Sequence, residues 1–313
     1  MIDVIVPVYH PDEKLEKLIE RLNQQTKKPE HVLFLQTLTG EPGEDEQVKK
    51  ILGKAENATV IPVKKEEFDH GGTRNLGASH SDAEFMLFMT QDAVPEDDRL
   101  IENLYRHICP DEQIATVYGR QLPDDKVGEI ERYTRAFNYP ENSSVKDKGD
   151  LERLGIKTYF CSNVCAMYRK SVYEQLGGFV THTIFNEDMI LAAAVIQAGY
   201  KIAYAADAKV VHAHKYTYWQ QLTRNFDLAV SQRQHREIFE SVKSESEGIK
   251  MVKQTAKHLL KHGKWYLLPD LVLQSGFKFI GYKLGLRYET LSPKMVRRFS
   301  MNPKYWDSGK NGG

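Results

Sequence analysis

Cysteine is scarce in this chain. Cys109, Cys161 and Cys165 are its three cysteines, and no pair is spaced C-x-x-C. An odd count without that spacing argues against a disulfide framework and favours a reducing compartment. Long apolar runs are missing as well. No window holds 18 uncharged apolar residues, so nothing is expected to span a membrane. The first residues, Met1-Ile-Asp-Val-Ile-Val-Pro7, have no basic region and read as a strand, so no signal peptide is expected. No G-x-G-x-x-G follows that strand, which leaves a dinucleotide site with little support. Internal repeats and low-complexity segments are absent. Net charge is absent too, with 43 basic and 43 acidic residues, but the balance is local. From Lys250 onward thirteen Lys/Arg face three acids, giving +10, and residues 1–249 carry −10. Such a split suggests a tail that meets an anionic partner, either nucleic acid or a membrane surface.

What is present is alternation. Strands are expected at residues 2–9, 31–37, 59–63, 85–89 and 114–121. Helical stretches are expected at 12–25, up to 52, through 80 and from 95 onward. In the first helix Leu15, Leu18, Ile19 and Leu22 share one face. Strands alternating with helices predict an α/β fold with a mostly parallel central sheet flanked by helices. The centre of the pattern is Phe85-Met-Leu-Phe-Met-Thr-Gln-Asp-Ala93. This apolar run reads as a strand buried on both faces. Asp92 stands at its C-terminal tip, where open α/β sheets bind ligands. Equally, Asp92 could simply begin the turn and cap the next helix. Further along, 125–137 reads as a helix, 139–150 as a polar loop, 159–168 as a strand and Gly177-Gly178-Phe179 as a turn. Residues 186–198 read as a helix closed by Gly199. A strand or hairpin is expected at 201–214, and a helix at 218–235.

Three constellations could carry chemistry. Asp92 ends a strand, and Glu187-Asp188 open a helix. Acids in a first turn also complement the helix dipole, and Asn186 could cap it. Placed beside a cleft, however, such a pair offers a general base. His212 and His214 end a strand, where alternation would set both rings on one face. With a carboxylate they could hold a divalent cation, although a lone histidine is more often structural. His70-Gly-Gly-Thr-Arg-Asn75 leads into a helix whose N-terminus could attract phosphate, with glycines permitting close approach.

These motifs in this order resemble a family 2 glycosyltransferase with the GT-A fold. The resemblance rests on Val6-Pro-Val-Tyr9, Gln91-Asp92-Ala93, Asn186-Glu-Asp188 and the later histidine pair. Asp69-His-Gly-Gly-Thr-Arg-Asn75, Phe160-Cys-Ser-Asn-Val-Cys165, His212-Ala-His-Lys-Tyr216, Gly281-Tyr-Lys-Leu-Gly285 and Ser300-Met-Asn-Pro303 are similar to those of bacterial rhamnosyltransferases building O-antigen or cell-wall rhamnose polysaccharides. The resemblance implies inverting transfer of L-rhamnose from dTDP-β-L-rhamnose to a sugar hydroxyl of a lipid-linked glycan. Asp188 would be the base, with Glu187 beside it. Asp92 would bind the donor diphosphate through Mg²⁺ or Mn²⁺, with His214 or His212 as a further ligand. Pro7, Tyr9, Asp69, His70, Gly71, Arg74 and Gln91 would line the nucleotide-sugar site, and Ser162 and Asn163 the acceptor side. Two positions depart from the family pattern. Thr90 replaces the first Asp of D-x-D, and Gln36-Thr37 replace an acidic residue after the second strand. Three alternatives stand beside this reading. They are a related enzyme using another nucleotide sugar, a sugar nucleotidyltransferase, and a binding protein that kept the fold. The nucleotidyltransferase would need a Gly-rich basic loop where Tyr9-His-Pro-Asp-Glu13 stands.

The expected division is a GT-A domain over 1–245 and a basic amphipathic helical region over 246–313. Lys253, Lys257 and Lys261 recur every four residues. Met251, Val252, Ala256, Leu259 and Leu260 lie beside them, and Trp265, Tyr266, Leu267 and Leu268 follow. This pattern suggests a peripheral helix on the inner face of the cell membrane. Alternatively, its apolar face packs on the catalytic domain or on a second subunit, as in a homodimer. Nucleic acid is not expected, because no aromatic stacking platform accompanies the charge.

Overall fold

The computed structural model describes residues 1–240 and 245–307. In chain order the elements begin with β1 (Ile2–Val8), α1 (Glu13–Asn23), β2 (His31–Thr37), α2 (Pro42–Leu52), β3 (Ala58–Val63), α3 (His70–Ser79), β4 (Phe85–Met89), β5 (Val94–Pro95), α4 (Leu100–Ile108) and β6 (Ile114–Leu122). They continue with α5 (Glu129–Asn138), β7 (Ser144–Lys146), α6 (Leu151–Leu154), β8 (Cys165–Arg169), α7 (Lys170–Gln175), α8 (Glu187–Gln197) and β9 (Lys201–Val211). Last come α9 (Tyr218–Gln234), α10 (Arg236–Phe239), α11 (Glu245–Lys261), α12 (Leu268–Gly285) and α13 (Pro293–Phe299).

Two compact units divide the chain. The first comprises Met1–Lys126, Asn138–His182 and Glu187–Ala213. It holds one sheet in the order β3-β2-β1-β4-β8-β6-β9-β5, with β7 also on β9. Strands β1 to β4 run parallel, and β8 lies antiparallel between β4 and β6. Every residue of β4 is buried, as expected for a strand covered on both faces. On one face the sheet packs against Leu15, Leu18 and Leu22 of α1 and Leu100, Leu104 and Ile108 of α4. On the other, Phe88 meets Tyr168, Tyr173 and Phe179, mostly edge to face. Asp12 caps α1 by accepting from the Lys14 N–H at 2.9 Å, which fixes where the helix after β1 begins.

The second unit comprises Val127–Phe137, Thr183–Asn186 and His214–Gly313. Here α9 and α12 pack closely because two glycines of α12 have no side chain. A Cβ on Gly281 would stand 2.1 Å from the Leu222 carbonyl oxygen, and one on Gly285 2.3 Å from that of Phe226. Leu259 of α11 packs with Ile130 and Leu271. Among the described residues no helix is long and apolar enough to cross a membrane.

Several local expectations are corrected. Residues 139–150 are not loop throughout: Ser144–Lys146 pairs antiparallel with β9. Lys146 is buried there, donating to the carbonyls of Lys157 at 3.1 Å and Phe160 at 2.5 Å. Burial pulls its amine down to about 8. The strand expected over 159–168 starts only at Cys165, leaving Ser162 and Asn163 in the irregular segment before it. Asn186 stands just before α8. Its backbone is left-handed, with φ 66°, and its side chain donates to the Leu228 carbonyl. The strand expected to reach His214 ends at Val211. The turn at Gly177-Gly178 forms with φ of 83° and 70°, values that glycine adopts at little cost.

Candidate active site

The sheet's C-terminal edge in the first unit gathers most of the residues singled out from sequence. Gln91, just past β4, bridges to the end of β1. Its Oε1 accepts from the Tyr9 N–H at 2.8 Å, and its Nε2 donates to the Tyr9 carbonyl at 2.9 Å. Beside this bridge lies a cavity of about 180 Å³ lined by Pro7, Val8, Tyr9, Phe68, His70, Arg74, Thr90 and Gln91. Two buried polar atoms on its lining residues, Thr90 Oγ1 and Arg74 Nε, have no hydrogen-bond partner among the described residues. Buried polar atoms in folded proteins are nearly always satisfied, so these two donors have capacity for a ligand's acceptor atoms. A larger open depression along α1, between Glu13 and Lys54, is lined mainly by charged side chains of α1 and converges on no such group.

The loop before α3 is tightly held. Asp69 caps α3, accepting from the Gly72 N–H at 2.6 Å, and its other oxygen accepts from the His182 N–H at 3.0 Å. Gly71 is approached by protein: a Cβ there would stand 1.9 Å from the Val180 carbonyl oxygen. Arg74 is buried, and its Nη1 donates to the His70 carbonyl at 2.8 Å and pairs with Glu187 at 3.2 Å.

That pair leads to the base candidate. Burial raises the Glu187 carboxyl, but Arg74 and then His70 outweigh it, and the net shift is downward. Glu187 therefore stays charged. Asp188 is pushed up to about 7, first by desolvation and then by Glu187's charge. Two backbone N–H groups hold its carboxylate, Asn163 at 3.2 Å and Met189 at 2.8 Å. Asn163 also reaches Glu187 through Nδ2 at 3.4 Å, and its Oδ1 accepts from the Tyr168 hydroxyl at 2.8 Å. A carboxylate with its proton affinity near neutrality suits proton removal from an alcohol.

Past the other side of Asn163's loop runs a second chain of contacts. Gln121, buried near the end of β6, donates to the Ser162 hydroxyl at 3.0 Å. Its Oε1 lies 3.1 Å from His212 Nδ1. That bond places the ring proton on Nδ1 and turns Nε2 toward Asp92, 3.4 Å from its Oδ2. A carboxylate oxygen and an imidazole nitrogen at this separation fit one divalent cation, since ligands about 2.1 Å from a metal lie roughly 3 to 3.4 Å from each other. The Gln121 amide oxygen behind the ring does what a carboxylate or backbone carbonyl more often does for a metal-binding histidine, fixing its tautomer and orientation. His214, two residues on, is exposed and is the first residue of the second unit. Because β9 ends before it, strand alternation does not fix its direction.

The pattern of glycosyl transferase family 2 matches residues 3–177. This chain belongs to that family. The family 2 enzyme is 38% identical over 309 residues to the O-antigen chain rhamnosyltransferase RfbN of Salmonella typhimurium, covering 98% of this chain and 96% of that one. It is 37% identical over 308 residues to WbaN of Salmonella anatum, another O-antigen chain rhamnosyltransferase, covering 97% and 95%. Among solved structures it shares its fold with TarS 1–349 of S. aureus, at a TM-score of 0.57 and 15% identity over 98% of this chain and 87% of that one. The mannosyltransferase PcManGT from Pyrobaculum calidifontis, solved with GDP-Man and Mn²⁺, gives 0.54 and 16% over 98% and 85%. The expected GT-A fold and glycosyltransferase activity are thereby established, and membership of the family implies inversion at the anomeric carbon.

No sequence pattern pairs Arg74 with Glu187 or Gln121 with His212. Gln121 was legible in one respect, being a polar residue near the C-terminal end of an apolar strand, as Asp92 is beyond β4. Nothing in the sequence joins Arg74 to Glu187, which are far apart along it.

Proposed function

We propose that this enzyme transfers L-rhamnose from dTDP-β-L-rhamnose to a sugar hydroxyl of a lipid-linked surface-polysaccharide precursor at the inner face of the cell membrane. The observation that carries the sugar assignment is the near full-length match to two O-antigen chain rhamnosyltransferases. The chemistry rests on Asp188, poised near neutrality next to Glu187, which pairs with Arg74 of the cavity lining. Asp188 takes the proton of the acceptor hydroxyl as that oxygen attacks the anomeric carbon. The bond from that carbon to the diphosphate oxygen breaks on the opposite face. dTDP leaves, and the β-linked donor gives an α-linked product without a covalent enzyme intermediate. Glu187, held charged by Arg74, keeps the proton affinity of Asp188 high.

Pro7, Tyr9, His70, Arg74 and Gln91 receive the donor nucleotide, with Asp69 and Gly71 shaping the loop that carries His70. Arg74 Nε and the Thr90 hydroxyl answer phosphate oxygens. Ser162 and Asn163 border the acceptor. Asp92 and His212 would hold Mg²⁺ or Mn²⁺, which when bound offsets charge on the departing diphosphate.

The test is calorimetric binding of dTDP-rhamnose, UDP-sugars and GDP-sugars with Mn²⁺, followed by dTDP release with and without acceptor lipid extract. Preferential dTDP-rhamnose binding and acceptor-dependent release that EDTA removes are expected. Preference for a UDP- or GDP-sugar would overturn the donor assignment. Full activity in EDTA would return the histidines to a structural role.

A further inference from the structure

We propose that the exposed face of α12, together with the Trp265–Tyr266 turn before it, is the surface on which this enzyme rests against an anionic lipid bilayer. The inference rests on the membrane placement in the proposed function and locates it. The basic helix α11 is the obvious candidate from sequence, yet much of its apolar side is already used. Val252, Ala256 and Leu259 pack with Ile130 and Leu271 inside the second unit.

Helix α12 differs. One side sits on α9 through Gly281 and Gly285. Its other side is apolar and open: Val272 is 67% exposed, Leu273 48%, Phe279 61% and Ile280 49%. At about 100° per residue these four fall within an arc of roughly 120°. Trp265 and Tyr266, 67% and 61% exposed, stand just before the helix. A contiguous apolar stripe of this kind on a folded protein marks an interaction surface.

The surrounding chemistry selects lipid as the occupant. Trp and Tyr side chains favour the level of lipid headgroups. Lys283 lies within the stripe, its amine 5.6 Å from the centre of the Phe279 ring, so its stem covers apolar surface while its charge remains at the rim. Lys253, Lys257 and Lys261 are exposed on α11, leading into the Trp265 turn. The +10 carried from Lys250 onward complements an anionic leaflet and repels a second copy of the same face. At 18 residues, and without the hydropathy to cross a bilayer, α12 lies along the surface.

The test uses the full chain and vesicles of phosphatidylcholine with or without phosphatidylglycerol, in the absence of donor and acceptor. The native protein should sediment with the anionic vesicles and be released by high salt. Phe279→Ser with Ile280→Ser, and separately Trp265→Ser with Tyr266→Ser, should each weaken partitioning by about tenfold or more, with dTDP binding unchanged as a check on folding. Equal partitioning of native and variant proteins would overturn the proposal, as would no partitioning of the native protein. A dimer that the same substitutions dissolve would also overturn it, by assigning the stripe to a second copy. Loss of dTDP-rhamnose specificity with vesicle binding intact would instead count against the rhamnosyl reading alone.

Discussion

Asp188 is held by two backbone N–H groups and raised by burial and by Glu187, and the balance leaves its carboxyl at about 7 against an ordinary 3.8. A base in this state works only once deprotonated. The acid limb of kcat/KM should therefore bend near pH 7, with rate rising as pH increases. Stability should run the other way. The folded chain keeps Asp188 protonated up to about 7, whereas the unfolded chain releases that proton near 3.8. Folding takes up a proton in between, and the stability this group contributes at low pH is lost as pH rises through about 7. Asp188→Asn keeps the shape and cannot accept a proton. Turnover should fall by roughly two to four orders of magnitude with dTDP binding kept. The decline in urea midpoint between about pH 5 and pH 8 should shrink. Near-native turnover would remove Asp188 from the mechanism. The site was legible in sequence where it depends on residues at element ends, as Asp92 and Asp188 do. It was not legible where long-range pairing sets the chemistry, because no local pattern shows that Arg74 and Asn163 meet Glu187.

Helix α12 offers a comparison at the scale of one element. Gly281 and Gly276 sit five residues apart on it with opposite surroundings. A Cβ at Gly281 would stand 2.1 Å from the Leu222 carbonyl oxygen, inside contact distance of backbone that cannot swing away. At Gly276 a Cβ meets nothing within 4 Å. Gly281→Val should destabilise by about 2 kcal/mol or more through overpacking, and Gly276→Ala should stabilise by about 1 kcal/mol through helix propensity. Urea unfolding of the two variants checks the pair; equal effects would mean that α9 and α12 do not pack closely in solution. Other elements show why some of the fold could be read beforehand. β1, β2 and β4 are apolar runs, and α1 shows its buried face at spacings of three and four. β7 was hidden because Ser144–Lys146 is polar and short, and its place is set by pairing with β9 and by two carbonyls that receive the Lys146 amine. The start of β8 was misplaced because Ser162 and Asn163 continue an apolar-looking run, while their side chains serve Gln121, Glu187 and Tyr168.

At the scale of the molecule, the path of the chain decides how its two units unfold. The chain passes from one unit to the other five times, because Val127–Phe137 and Thr183–Asn186 belong to the second unit while the segments around them belong to the first. Neither unit is a continuous stretch that could be released from one end, so loss of either pulls several covalent connections out of the other. This favours one cooperative transition. The tryptophans make the point measurable. Trp219, Trp265 and Trp306 are the chain's three, and all lie in the second unit, whereas Asp188, Asp92, Arg74 and the donor cavity lie in the first. A ligand that binds only the folded state stabilises by about 2.7 kcal/mol at a hundredfold excess over Kd. dTDP with Mn²⁺ should therefore move the tryptophan-fluorescence unfolding curve to higher urea by the same interval as the far-UV circular dichroism curve, although no tryptophan belongs to the unit that binds. If the fluorescence midpoint stayed fixed while the dichroism curve split in two, the units would be unfolding independently. Only the stability of the first unit would then be linked to the nucleotide.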